Sequence, residues 1–99
     1  MILTEADILS IESIEKEACR YFHVCMDEVY DKNSKRTASA ARAFIFYIIH
    51  VDLGISVGKI SLRYGRRRNT IFKSISKIKY RVEMQKSYRE IYRSICGKI

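Results

Sequence analysis

Apolar residues recur at spacings of three and four along most of this 99-residue chain, the period of helices that bury one face. Ile8, Ile11, Ile14, Ala18 and Tyr21 form the first series, and Thr4 followed by Asp7 has the spacing of a capping pair. Together they predict a helix over residues 4–22, with Ser13, Lys16, Glu17 and Arg20 on its solvated face. Residues 26–30 hold one further helical turn. The polar stretch DKNSKRT then reads as the main loop, because Asn33, Ser34 and Thr37 offer turn and cap chemistry. Over residues 38–53 nearly every position is apolar on all sides: Ala41, Ala43, Phe44, Ile45, Phe46, Tyr47, Ile48, Ile49 and Val51. That pattern predicts a central, fully packed helix, capped by Thr37 or Ser39 and stopped at Gly54.

The pattern changes after Gly54. Ser56 is a natural cap for a short helix, residues 57–63, in which Val57, Ile60 and Tyr64 face inward. Gly65 supplies the permissive backbone of a tight turn. A longer helix follows, with Asn69 as a candidate cap and Ile71, Phe72, Ile75, Ile78 and Val82 as its inward stripe. Thr70, Lys73, Ser74, Lys77 and Arg81 lie opposite. A last short helix carries Tyr88, Ile91, Tyr92 and Ile95 on one face. With no proline and four glycines the chain lacks the turn residues of a β-sandwich, so the expectation is a single all-α domain over residues 1–99.

Charge sharpens this picture. Residues 1–31 hold eight acids and two bases, a balance of −6, whereas residues 32–99 hold seventeen bases and three acids, a balance of +14. The field of so basic a segment concentrates polyanions, of which nucleic acid is the commonest. Cys19, Cys25 and Cys96 are odd in number and fit no zinc-finger spacing. Cys19, His23 and Cys25 lack a fourth ligand, so reduced thiols without a metal or cofactor are expected. The acid-rich start is no secretory leader, and no apolar run reaches the roughly 18 residues of a membrane span, which predicts a cytoplasmic protein. His23 and His50 have no partners suited to catalysis, so no enzyme is expected.

Two helices joined by a glycine turn describe a helix-turn-helix, here over about residues 56–85, which sets the start of its second helix into the major groove. Arg66, Arg67, Arg68, Asn69 and Thr70 stand at that start. Arginine pairs bidentately with guanine O6 and N7, and asparagine with adenine N6 and N7. Lys73 follows on the outward side as a further base contact. Ser74 and Lys77 would reach phosphates, as would Ser56 and Lys59 on the preceding helix. A solvated basic loop with ordinary surface lysines is the bland alternative. The arginine triplet gains meaning from its coincidence with the turn, the capped helix before it and the core stripe behind it.

Residues 19–78 resemble the C-terminal DNA-binding domain of the bacterial replication initiator DnaA, a Trp-repressor-like helical module. ACRYFHVCMDEVYDKNSKRTASAARAFIFYI is similar to that domain's opening helix, short helix, basic loop and central helix. SVGKISLRYGRRRNTIFKSISKI resembles its signature, SLxEIGxxFGGRDHTTVxHAxxKI, at Ser56, Ile60, Tyr64, Gly65, Arg66, Thr70, Ile71 and Ile78. The resemblance implies double-stranded DNA as partner, a bacterial cytoplasmic or nucleoid setting, and a role in replication or transcription regulation. It also places a minor-groove loop at residues 33–36, with Lys35 and Arg36 the nearest cations.

The departures are informative. One of the paired glycines is missing, and Arg67, Arg68 and Asn69 replace the family's Asp-His-Thr. An acid that accepts from cytosine N4 cannot become a cation and read the same base, so the family's target sequence is not expected to carry over. No GxxxxGK[ST] segment occurs, which makes the expectation a stand-alone relative without ATPase activity. A homodimerising or protein-interaction module with nonspecific nucleic-acid affinity, RNA included, is the alternative reading. Its candidate faces are the apolar run at residues 44–49 and the tyrosines Tyr88 and Tyr92.

Overall fold

The computed structural model describes residues 3–31 and 35–97, and within them the chain is all-helical. The elements are α1 (Glu5–Phe22), α2 (Met26–Tyr30), α3 (Arg36–Asp52), α4 (Val57–Tyr64), α5 (Arg68–Met84) and α6 (Lys86–Cys96). The α3 helix packs against α1 on one side and α5 on the other, while α6 bridges α1 and α5. The short helices α2 and α4 both pack on α3, and α4 also rests on α5.

Local chemistry explains the boundaries. Thr4 Oγ1 accepts from the Asp7 amide at 3.0 Å and Asp7 Oδ2 accepts from the Thr4 amide at 3.2 Å, a complete capping box that opens α1. Ser56 Oγ accepts from the Lys59 amide at 3.3 Å and opens α4 in the same way. Gly65 ends α4 at φ 63°, in the left-handed region where a side chain is costly.

Several expectations are corrected. Ile11, Ile14 and Ala18 are buried, but Tyr21 is exposed, and Phe22, four residues after Ala18, continues the stripe and packs on Phe44. The helical period does not choose between them, since both lie within about 60° of the direction set by Ile14 and Ala18; packing against Phe44 of α3 draws Phe22 inward and leaves Tyr21 outside. Neither Thr37 nor Ser39 caps α3: Lys35 is its N-cap, without a side-chain hydrogen bond, and the helix starts at Arg36. Residues 44–49 are all buried, as a central helix requires, yet Val51 is exposed, so the all-round apolar character ends before the helix does. Arg67, not Asn69, is the N-cap of α5. Phe72 does not join Ile71, Ile75 and Ile78 in the core; it is 62% exposed. The reason is geometric, since Phe72 is one step of about 100° from Ile71 while Ile75 and Ile78 return to the same side. The turn chemistry expected of Asn33 and Ser34 lies outside the described residues.

Candidate nucleic-acid interface

A buried charge fixes α4 to α1. Glu15 is only 6% exposed; its Oε2 accepts from the Tyr64 hydroxyl at 2.6 Å and its Oε1 from Arg63 Nη2 at 3.3 Å. Burial and then the Glu15 carboxylate push the Tyr64 hydroxyl pKa far above its ordinary value. Burial alone would lower the Arg63 pKa, but Glu15 and Tyr64 outweigh it and raise it. The Tyr64 ring stacks on Tyr30 of α2 at 5.4 Å and meets Phe46 of α3 edge-on at 5.1 Å. Three helices therefore hold α4 through its last two residues. Sequence reasoning missed this network, because Glu15 is one acid among eight in an acidic stretch. Its signal was position: Glu15 directly follows Ile14, on the edge of the inward stripe.

Two arginines clamp the end of α2. Arg42 Nε donates to the Val29 carbonyl at 2.7 Å and Arg42 Nη2 to the Asp31 carbonyl at 3.0 Å. Arg66 Nη2 donates to the Tyr30 carbonyl between them, at 3.1 Å. The Arg66 carbonyl in turn accepts from the Ser61 hydroxyl, which ties the turn back to α4. Burial, then the nearby charge of Arg66, lowers the Arg42 pKa, with Asp31 opposing. Arg42 escaped the sequence reading, although a lone arginine within the apolar run of α3 was its visible signal.

The outer surface of α5 divides into two stripes. Thr70, Ser74, Lys77 and Arg81 line a groove of about 800 Å³ together with Arg36, Ser39 and Arg42 of α3 and Arg66 of the turn. Five of the groove's lining residues are cations and none is an acid. Its inner wall is apolar, with Phe22, Tyr88 and Ile91, and Arg81 Nη1 donates to the Tyr88 hydroxyl at 2.7 Å. The second stripe, Asn69, Phe72, Lys73 and Ser76, follows the spacing i, i+3, i+4, i+7 and is exposed throughout.

Arg36, Arg66, Thr70, Ser74 and Lys77 meet in the groove. Arg67, Arg68, Asn69 and Lys73 are exposed at the start and outward side of α5. The Arg68 guanidinium lies over α4, so close to Gly58 that a β-carbon there would stand 3.2 Å from Arg68 Nη2. Ser56 and Lys59 sit in the first turn of α4, and Lys35 precedes α3. The first turn of α5 receives no side-chain cap, so its first backbone amides have no side-chain acceptor within the helix start. Among the described residues, no cluster of three or more histidine, cysteine or acidic side chains is arranged to hold a metal. No described helix is long and apolar enough to cross a membrane.

Comparisons with known proteins give a modest likeness. No family model matches the chain. Over 71 residues, 72% of this chain, it is 24% identical to the chromosomal replication initiator protein DnaA of Oleidesulfovibrio alaskensis. The matched region is 15% of that protein's length, so the chain spans a small part of the relative it resembles.

Proposed function

We propose that residues 1–99 form one non-catalytic unit that binds double-stranded DNA sequence-selectively, with α4, the turn and α5 as a helix-turn-helix and α5 as its recognition helix. The observation that carries this reading is the combination at α5. One side of the helix is buried, the opposite side is exposed and cationic, and the uncapped start follows a left-handed glycine turn. Arg67, Arg68, Asn69, Thr70 and Lys73 read base edges, with Arg66 at the turn. Ser56, Lys59, Ser74 and Lys77 engage the phosphate backbone, and Lys35 and Arg36 reach the backbone or the adjacent minor groove. The likeness to a replication initiator supports DNA as the partner and suggests chromosome replication or its regulation as the setting.

Selection of bound duplexes from a randomised library, followed by titration of the winners between about 50 and 200 mM salt, tests the reading. Arg67→Ala combined with Arg68→Ala should change the enriched motif as well as the affinity. Lys77→Ala should weaken all sequences alike and reduce the salt slope by about 1. An unaltered motif in the double variant would remove α5 as the recognition helix. Failure to bind any duplex would favour a protein-interaction module instead.

A further inference from the structure

Over residues 69–76 the outward stripe of α5 contains one residue that does not fit a polar surface. Asn69, Lys73 and Ser76 are polar and exposed, and Phe72 stands among them with 62% of its surface open. Scattered exposed apolar residues are ordinary. Phe72 differs in its place: three residues after Asn69, directly before Lys73, and on an exposed flank of α5 about 100° around from Ile71. The described aromatic contacts pair every other phenylalanine of the chain with a neighbouring ring: Phe22 with Tyr21 and Phe44, Phe44 with Tyr88, and Phe46 with Tyr64. Phe72 takes part in none of these pairs.

A benzyl side chain cannot exchange hydrogen bonds with base edges. The one apolar feature that a base presents in the major groove is the C5-methyl of thymine, and phenylalanine is among the side chains suited to it. Resting on the proposed DNA-binding role of α5, we infer that Phe72 is a specificity-determining residue that packs against a thymine methyl, beside the base pair read by Asn69. The contact would distinguish thymine from cytosine, and also from uracil, which has the same hydrogen-bonding edge and lacks only the methyl.

Removing the methyl from the DNA and the ring from the protein tests the pairing directly. In the duplex selected by the wild-type chain, each thymine is replaced in turn by deoxyuridine, and binding of wild type, Phe72→Ala and Phe72→Leu is compared. Wild type should lose about fourfold in affinity at one position, the size expected for one buried methyl. Phe72→Ala should bind the thymine duplex correspondingly less well and be indifferent to the substitution, while Phe72→Leu should keep part of the sensitivity. Matching melting temperatures would show that the variants fold. A selected motif without thymine, equal binding of thymine and uracil by wild type, or undiminished methyl sensitivity in Phe72→Ala would each overturn the inference alone. Absence of any enriched sequence would overturn it together with the DNA-recognition reading.

Discussion

The helices α3 and α5 have the same length, 17 residues, and opposite allocations of surface. The α3 helix buries Ala38, Ala41 and all of residues 44–49, whereas α5 buries only Ile71, Ile75 and Ile78. The α5 helix packs on α3, α4 and α6, while α3 touches all five other helices, α6 through the Phe44–Tyr88 and Tyr47–Tyr92 ring contacts. The difference separates the costs of change. In α3 a substitution is felt as lost packing, whereas on the exposed faces of α5 it leaves the core untouched.

The largest contrast is expected between two phenylalanines. Phe46→Ala should destabilise the fold by about 3–5 kcal/mol, the usual cost of truncating a buried aromatic, whereas Phe72→Ala should stay within about 0.5 kcal/mol of wild type. Urea unfolding of both variants is decisive, and a comparable loss in each would erase the distinction between the helices. Next comes Glu15→Ala, which strands Arg63 and Tyr64. Discounted for the 23% exposure of the Arg63 side chain, the loss is about 2–3 kcal/mol. If this variant unfolded at the wild-type urea midpoint, the tie between α1 and α4 would carry no energy. Gly65→Val forces a branched residue to φ 63° and should cost about 1–2 kcal/mol. An unchanged melting temperature would argue against that turn.

The smallest effect at neutral pH is the alkaline dependence. The folded state holds the Tyr64 proton more tightly than the unfolded chain does. The stability this adds is complete below about pH 10 and disappears as pH rises beyond it. Tyr64→Phe should therefore show a shallower alkaline decline than wild type. Equal slopes between about pH 9 and 11 would exclude Tyr64 as the titrating group.

Much of the architecture was legible because helical period and cap chemistry are local. Thr4 with Asp7, the single turn at residues 26–30, Ser56 and Gly65 all do what their side chains and spacing imply. Phe72 joins the inward stripe by its spacing of three from Ile75, yet it stands about 100° from Ile71, at the edge of that stripe, where only the packing of neighbouring helices decides whether a residue is covered. Arg67 takes the cap position ahead of Asn69 because the short turn after Gly65 sets where α5 begins. The groove was beyond reach of pattern reading. It joins Arg36 and Arg42 to Thr70, Ser74 and Lys77, residues brought together only by the packing of α3 on α5. The helical period grouped Thr70, Lys73, Ser74, Lys77 and Arg81 on one face, and packing separates Lys73 from the four that enter the groove.

The clamp on α2 has a consequence for folding order and local opening. A five-residue helix cannot persist alone, since so short a segment never recovers the entropy of nucleation. The carbonyls of Val29, Tyr30 and the capping residue Asp31 are satisfied by guanidinium groups that arrive from α3 and from the turn before α5. The α2 helix should therefore be a late acquisition, completed only after those distant segments have docked. In the native state, its release and the loosening of the Arg66 turn become a single cooperative fluctuation, visible as matched amide-exchange protection at Val29 and Gly65.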